Sequence, residues 1–125
     1  MVKVILQLYP MLRAENEAER ERLRPLGRNT ERFQEFLEDL PQLAQASDDL
    51  GLWGISTIEH HFHSEGYEVG PSPTAMGVHL AGLTKRVRVG QLGYTMSAQN
   101  PFRVAEDVAL LDHITKGRCF AGFSR

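Results

Sequence analysis

Strand-like and helix-like segments alternate along this chain, and this alternation restricts the fold more than any other feature. A nearly continuous apolar run with β-branched residues over positions 2–9 predicts a strand that is buried on both faces. An amphipathic, helix-like segment follows this run, and the pair of apolar run and amphipathic segment occurs three times in all. A fourth apolar run ends the chain. This order implies a parallel sheet with right-handed crossovers. The sequence therefore predicts an α/β protein, with residues 1–125 in a single domain.

Capping residues and glycines mark where the predicted helices begin and end. Asn29, Ser72 and Asn100 are good N-caps, and proline is well tolerated at the first helical position, as in the pairs SP and NP. Pro41 removes a backbone donor inside the first helix, which predicts a kink or a break there. The predicted helices cover residues 29–51, 72–84 and 100–117, and the predicted strands cover 2–9, 53–58, 86–94 and 119–123.

Residues 11–29 do not belong to the strand–helix alternation. Arginine and glutamate dominate this stretch, which follows the first predicted strand. We interpret it as a solvated, mixed-charge helical insertion, because balanced charge runs usually face water. A mobile lid over a site at that end of the strand is the alternative.

The composition excludes several classes of function. Sixteen acidic and fourteen basic residues give a net charge of -2, so there is no basic surface for nucleic acid. No apolar run approaches the roughly 20 residues that cross a bilayer, and the chain opens without a signal peptide. The single cysteine, Cys119, excludes an internal disulfide framework and is expected to pack in the core of the fourth strand. We expect a soluble, cytoplasmic protein.

The segment EHHFH at residues 59–63 follows the second predicted strand and is the strongest candidate for chemistry. In parallel α/β folds, ligands bind at the carboxyl ends of the strands. Histidine transfers protons near neutral pH or binds metals, and a neighbouring carboxylate such as Glu59 orients it. The alternative is that two of the histidines only brace the loop through hydrogen bonds.

Composition alone leaves two architectures open. Four parallel strands fit a small, open, doubly wound sheet. They fit equally the N-terminal half of a (β/α)8 barrel, which needs about 250 residues to close.

Several motifs, in order, resemble the luciferase-like flavin-dependent monooxygenases, a family typified by bacterial luciferase. The resemblance covers roughly residues 50–125 and the first strand, and it does not include the charged insertion. The matching motifs are GLWG at 51–54, EHHF at 59–62, SP at 72–73, TKRVRVG at 84–90, NPFRVAED at 100–107, LDHITKGR at 111–118 and GFSR at 122–125.

This resemblance implies a (β/α)8 barrel that binds reduced FMN at the C-terminal ends of its strands and uses O2 to oxygenate a small organic substrate. By position, His60 is similar to the histidine that these enzymes use as an acid/base group beside the flavin. Glu59 and His61 are expected to orient the loop or the substrate. The flavin performs the difficult chemistry, and the protein fixes the ring and excludes water.

The resemblance also assigns cofactor contacts. The third strand of the family carries a bulge against the flavin ring, sometimes with a cis peptide, and Leu92-Gly93 occupies that place. Ser124 stands where the light-emitting members have a reactive cysteine, which argues against assuming luminescence. Arg125 matches a family arginine near the flavin phosphate.

Three alternatives to this function stay open. The first is a metal-dependent hydrolase, because His61 and His63 would face the same way on an extended segment. The second is a deazaflavin-dependent oxidoreductase of the same fold. The third is a relative or fragment without catalytic activity.

The resemblance has consequences for partners and for completeness. It implies a flavin reductase that supplies reduced flavin, and a homodimer formed through the second and third predicted helices. The chain is expected to be an N-terminal fragment that covers about strands one to four of the barrel. The phosphate-binding groups of the family and much of its substrate pocket lie in strands five to eight. We therefore expect this chain alone neither to bind FMN tightly nor to turn over.

Overall fold

In the computed structural model, which describes residues 2–125, four strands form one parallel sheet. The strands are paired in sequence order, without the reversal of order that a doubly wound sheet has at its switch point. This order decides between the two architectures, and the fold is that of the N-terminal half of a (β/α)8 barrel, as predicted. The strands are β1 (Ile5–Gln7), β2 (Gly54–Thr57), β3 (Arg88–Thr95) and β4 (Cys119–Ser124).

The predicted helix starts are confirmed at all three capping residues. The side chains of Asn29, Ser72 and Asn100 each accept a hydrogen bond from a backbone N–H in the first turn of the following helix. None of the helices within residues 2–125 is long and apolar enough to cross a membrane. The helices are α1 (Glu17–Arg22), α2 (Thr30–Asp49), α3 (Pro73–Leu83) and α4 (Pro101–Thr115), and a 3₁₀ turn covers Leu26–Arg28.

The main core lies between the sheet and the helices. Leu40 of α2, Ile55 of β2 and Leu80 of α3 are completely buried there, and Val89 of β3 joins them. Burial of this apolar surface is the main stabilising term for such a layer. Helices α2, α3 and α4 contact the sheet through β2, β3 and β4, and the carboxyl ends of the strands border an open cleft.

The prediction that the first strand is buried on both faces is wrong for this chain. The strand has three residues, all half-buried, and Val4 and Tyr9 beside it are more than half exposed. The reason is that β1 lies at an edge of the sheet with β2 as its neighbour. Only Leu6 and Leu8 reach the core between the sheet and the helices.

Pro41 does not split the first predicted helix. Helix α2 runs continuously through it, with the exposed Pro41 on its outer side. The neighbouring residues Leu40 and Ala44 are fully buried against the sheet. Tertiary packing therefore outweighs the loss of one backbone hydrogen bond at the proline.

The insertion at residues 11–29 is only partly solvated, which corrects its interpretation as a charged, solvated helix. Leu12 and Leu26 are completely buried and form a second small core with Val69. The guanidinium of Arg20 is also buried and donates to the carbonyl oxygens of Leu12 and Glu65. The insertion is thus packed against the histidine-rich loop at residues 59–70.

Cys119 was predicted to be a core residue, but it is only half-buried. Its partial burial, with a smaller contribution from Asp112, raises the pKa of its thiol. The thiol is therefore a poor nucleophile near neutral pH.

Candidate active site

An open cleft of about 420 Å³ lies at the carboxyl ends of the four strands. Strands β1 to β4 and the loop after β2 all contribute to its walls. This is the position at which parallel α/β folds bind their ligands. Six of the seven residues predicted for the site line it: Glu59, His60, Leu92, Gly93, Ser124 and Arg125.

The carboxylate of Glu59 is completely buried and fully hydrogen-bonded. One oxygen accepts from the backbone N–H of Thr95 at 2.8 Å, and the other accepts from Gln99 Nε2 at 2.8 Å. The ring of His61 lies 2.9 Å from that second oxygen. Glu59 therefore joins the end of β2 to the end of β3 and orients both segments around the cleft.

His60 lies at the rim of the cleft and is about two-fifths exposed. Its Nδ1 is 3.3 Å from His63 Nε2 and 3.1 Å from a carboxylate oxygen of Glu68. The Nδ1 atom of His63 donates to the carbonyl oxygen of Tyr67 at 2.9 Å, which leaves His63 Nε2 as an acceptor when that ring is neutral. The three side chains form one hydrogen-bonded cluster.

The metal pair of His61 and His63, on which the hydrolase alternative depends, is not formed. Phe62, between them, has a left-handed φ of 60° and is fully exposed, so the segment is not extended and the alternation of side chains is lost. His61 is directed to Glu59, whereas His63 meets His60. The geometry on which the hydrolase alternative depends is therefore absent.

Strand β3 carries the predicted bulge. The pairing of β3 with β4 shifts register between Gln91 and Tyr94, so Leu92-Gly93 protrudes from the regular ladder. The peptide between Leu92 and Gly93 is trans, and the possible cis bond at this place is not found. A Cβ atom on Gly122 of β4 would overlap the carbonyl oxygen of Leu92, so the two strands approach closely at the bulge.

Buried polar groups lie beside the bulge. The Oε1 atom of Gln91 is buried and has no hydrogen-bond partner within residues 2–125, and Gln91 lines the cleft. The hydroxyl of Tyr94 is also buried without such a partner, and burial raises the pKa of its phenol. An unsatisfied buried acceptor costs about 1–3 kcal/mol, which is the usual reason to look for a ligand or water at such a place.

Ser124 and Arg125 lie on the β4 side of the cleft. The hydroxyl of Ser124 donates to the carbonyl oxygen of Tyr94 at 3.2 Å. Arg125 is exposed and contributes a positive charge to the lining of the cleft.

Sequence reasoning missed several residues of the cleft, namely Gln7, Tyr9, Ile58, Gln91 and Thr95. Two of them had a signal in the sequence. Gln7 and Gln91 are polar residues inside otherwise apolar strands, and a polar side chain at such a position frequently faces a site. The role of Thr95 had no signal, because it acts through its backbone N–H.

Four parallel strands paired in sequence order, with a polar cleft at their carboxyl ends, are typical of half of a (β/α)8 barrel. The family model described as "Luciferase-like monooxygenase" matches residues 8–125. The chain belongs to this family, which confirms the resemblance seen in the sequence motifs.

Two curated relatives show the extent of the similarity. The uncharacterized protein YwcH of Bacillus subtilis is 37% identical over 89 residues, which are 71% of this chain and 26% of that protein. The alkanal monooxygenase beta chain of Photorhabdus luminescens is 32% identical over 85 residues, or 68% of this chain and 26% of that one. This chain therefore spans about a quarter of the length of the relatives it matches.

Solved structures of monooxygenases have the same fold. Monooxygenase RslO1 from Streptomyces bottropensis superimposes with a TM-score of 0.75 at 27% identity, over 99% of this chain and 33% of that protein. The oxygenating constituent of 3,6-diketocamphane monooxygenase from Pseudomonas putida, in complex with FMN, gives a TM-score of 0.71 at 20% identity. That comparison covers 98% of this chain and 29% of the other, and it shows likeness of fold alone.

Proposed function

We propose that this chain contributes the first half of the active site of a monooxygenase that uses reduced FMN and O2 to oxygenate a small organic substrate. The observation that carries the proposal is the convergence of Glu59, His60 and the Leu92-Gly93 bulge on one cleft. These residues come from distant parts of the sequence, and their convergence on one cleft supports the roles that the family resemblance implies. Membership of the luciferase-like monooxygenase family supports the oxygenase chemistry.

The cleft has features that fit a flavin. Its β3 wall presents the half-exposed side chain of Leu92 next to the unpaired Oε1 of Gln91. A flavin ring is planar, largely apolar on its faces and polar along one edge, where it carries an N–H. An apolar wall with an unsatisfied acceptor beside it suits both properties.

Each of the proposed site residues has a distinct role. Glu59 holds the ends of β2 and β3 in fixed positions, and Leu92 with Gly93 forms a wall that excludes water. His60 holds a proton at one imidazole nitrogen and presents the other nitrogen as an acceptor. Arg125 supplies positive charge for the cofactor phosphate. When bound, reduced FMN supplies the electrons with which O2 delivers one oxygen atom to the substrate and leaves the other as water.

The proposal includes two protein partners. A flavin reductase would supply the reduced cofactor, as the family resemblance implies. A second copy of the chain would pack on α3 and α4, where Val78, Leu110 and Ile114 are between about two-fifths and three-fifths exposed. Exposed apolar side chains on adjacent helices are typical of an interface.

Titration of FMN into the isotope-labelled chain, followed by NMR, tests the cofactor site. Because the chain spans about a quarter of its relatives, we expect weak binding, with chemical-shift changes confined to residues that line the cleft, namely Glu59, His60, Leu92, Gly93, Thr95, Ser124 and Arg125. Adenosine monophosphate, which has the phosphate but not the flavin ring, is the control and should move only the signal of Arg125. Shifts elsewhere, or equal shifts with the control, would contradict the proposed site.

Labelled oxygen tests the reaction itself on the native gene product. With reduced FMN and ¹⁸O₂, we expect one heavy atom in the organic product and one in water. A product that gains hydrogen and no heavy oxygen would point instead to hydride transfer, as in the deazaflavin alternative.

A further inference from the structure

We propose that His60, His63 and Glu68 form a binding site for Zn²⁺ or a similar divalent transition-metal ion. One nitrogen of each imidazole and one carboxylate oxygen lie within 4.8 Å of one another. Two imidazoles and a carboxylate suit zinc, whereas Mg²⁺ and Ca²⁺ prefer ligand sets made entirely of oxygen. Of these three ligands, only His63 belongs to the His61–His63 pair that the sequence pattern suggested. The site does not include Leu92 or Gly93, which form the proposed flavin wall.

The distances between the donor atoms fit zinc coordination. Zinc binds imidazole nitrogen and carboxylate oxygen at about 2.0–2.2 Å, so ligands at the corners of a tetrahedron are separated by about 3.3–3.5 Å. His60 Nδ1 lies 3.3 Å from His63 Nε2 and 3.1 Å from Glu68 Oε2. Small side-chain rotations therefore suffice to place an ion between them. The fourth position is left for water, since all three side chains are partly exposed.

The hydrogen bond behind His63 prepares its ring for a metal. His63 Nδ1 donates to the carbonyl oxygen of Tyr67 at 2.9 Å, so the lone pair of a neutral ring lies on Nε2, toward the cluster. Metal-bound histidines usually have such a partner on the other nitrogen, which fixes the ring and its tautomer.

The charged insertion holds this loop in place. The Tyr67 hydroxyl donates to a carboxylate oxygen of Glu17, and the Arg20 guanidinium lies 4.3 Å from the centre of the Tyr67 ring. Arg20 is itself buried and also bonds the carbonyl oxygen of Glu65. Two residues between His63 and Glu68 are thus anchored before any ion binds, which lowers the ordering cost of the site.

The metal and flavin assignments share His60 and are tested separately. An ion on His60 Nδ1 would use the lone pair of that nitrogen and leave the ring proton on Nε2, so the ring would donate a hydrogen bond and no longer accept a proton. His63 and Glu68 are not among the residues that line the cleft, whereas Leu92 and Gly93 are. Substitutions at His63 and Glu68 therefore test the metal site without changing the β3 wall of the cleft.

Calorimetric titration of Zn²⁺ into the metal-free chain tests the site. We expect one equivalent to bind, and His63→Gln and Glu68→Gln each to weaken the binding at least about tenfold. The matched controls are His79→Gln and Glu31→Gln, which change an exposed histidine and an exposed glutamate outside the cluster and should leave the affinity unchanged. Absence of saturable binding, or equal weakening by the controls, would overturn the proposal.

Cobalt gives a readout that does not depend on the variants folding. Co²⁺ added to the wild-type chain should develop visible absorption bands of a four-coordinate ion and broaden the NMR signals of His60, His63 and Glu68 first. Broadening centred on other residues, or an octahedral spectrum alone, would contradict the site. FMN titrations repeated with EDTA test the flavin assignment separately.

Discussion

The buried carboxylate of Glu59, at the end of β2, accepts the backbone N–H of Thr95, at the end of β3, over 2.8 Å. Glu59 lies two residues after β2 and Thr95 is the last residue of β3, so this bond fixes the distance between the ends of two adjacent strands at the cleft. The side chain of Glu59 is thereby held by the neighbouring strand β3 as well as by its own loop, which restricts its conformational freedom. Preorganisation of this kind matters because small displacements in a site cost large factors in rate.

Replacement of Glu59 by glutamine should destabilise the chain and loosen the cleft. The amide keeps one acceptor but turns an NH2 group toward donors, so two charge-assisted bonds are lost or reversed. We expect a loss of about 2–3 kcal/mol in the free energy of unfolding, measured with urea. The control Glu106→Gln, on the exposed face of α4, should change stability little. Equal effects of the two substitutions would contradict this role for Glu59.

The start of each main helix could be predicted because its cause is local. Asn29, Ser72 and Asn100 accept hydrogen bonds from residues only two or three positions further along the chain. The barrel-like order of the strands also followed from the motifs. The place of Glu59 and His60 at the cleft followed from one general rule, that parallel strands bring their carboxyl ends to one edge.

The interpretations that failed depended on contacts between distant residues or on one backbone angle. The solvation of the insertion was misjudged because Arg20 finds its partners, Glu65 and Tyr67, in another loop. The pairing of His61 with His63 assumed an extended segment, and the positive φ of Phe62 removes that premise. A single sequence carries no clear signal for either feature.

Asp48 should make the stability of the chain depend on acid pH. Burial opposes its charge, but three backbone N–H donors outweigh burial and hold the pKa of its carboxyl below the ordinary value of 3.8. Because the pKa is lowered on folding, the contribution is complete above the ordinary pKa and is lost as the pH falls through the folded-state value. Urea unfolding between pH 2 and pH 6 measures it. The donors belong to Lys85, Arg86 and Val87, which lead into β3.

Asp49→Asn is the matched control for Asp48→Asn. Asp49 is exposed and lies 3.7 Å from Arg86 in a weak surface ion pair, whereas Asp48 is almost fully buried. We expect Asp48→Asn to cost about 2–3 kcal/mol at neutral pH and to flatten the acid dependence. Asp49→Asn should leave the stability at neutral pH and its acid dependence nearly unchanged. A steep acid dependence that persists in Asp48→Asn would contradict this role for Asp48.

Gly77 and Gly82 of α3 should respond differently to alanine. A Cβ on Gly77 would approach a methyl group of the buried Leu111 to 2.9 Å, whereas a Cβ on Gly82 meets open space. Alanine favours the helix at both positions, but crowding against α4 cancels that gain at Gly77. In thermal unfolding, Gly82→Ala should be more stable than the wild type, and Gly77→Ala at least about 1 kcal/mol less stable than Gly82→Ala. Equal stabilities of the two variants would show that the Leu111 side chain moves aside at no cost.

Gly122→Ala should disturb the bulge that forms the β3 wall of the cleft. The added Cβ would overlap the carbonyl oxygen of Leu92, and backbone atoms move less readily than a side-chain end. Gly93→Ala is the milder comparison, since its Cβ would meet only the Ser124 side chain, at 3.2 Å. We expect Gly122→Ala to lose about 1–3 kcal/mol of stability and the FMN-induced shifts at Leu92, with smaller losses for Gly93→Ala. If Gly122→Ala keeps both its stability and those shifts, the close approach of β3 and β4 does not shape the β3 wall of the cleft.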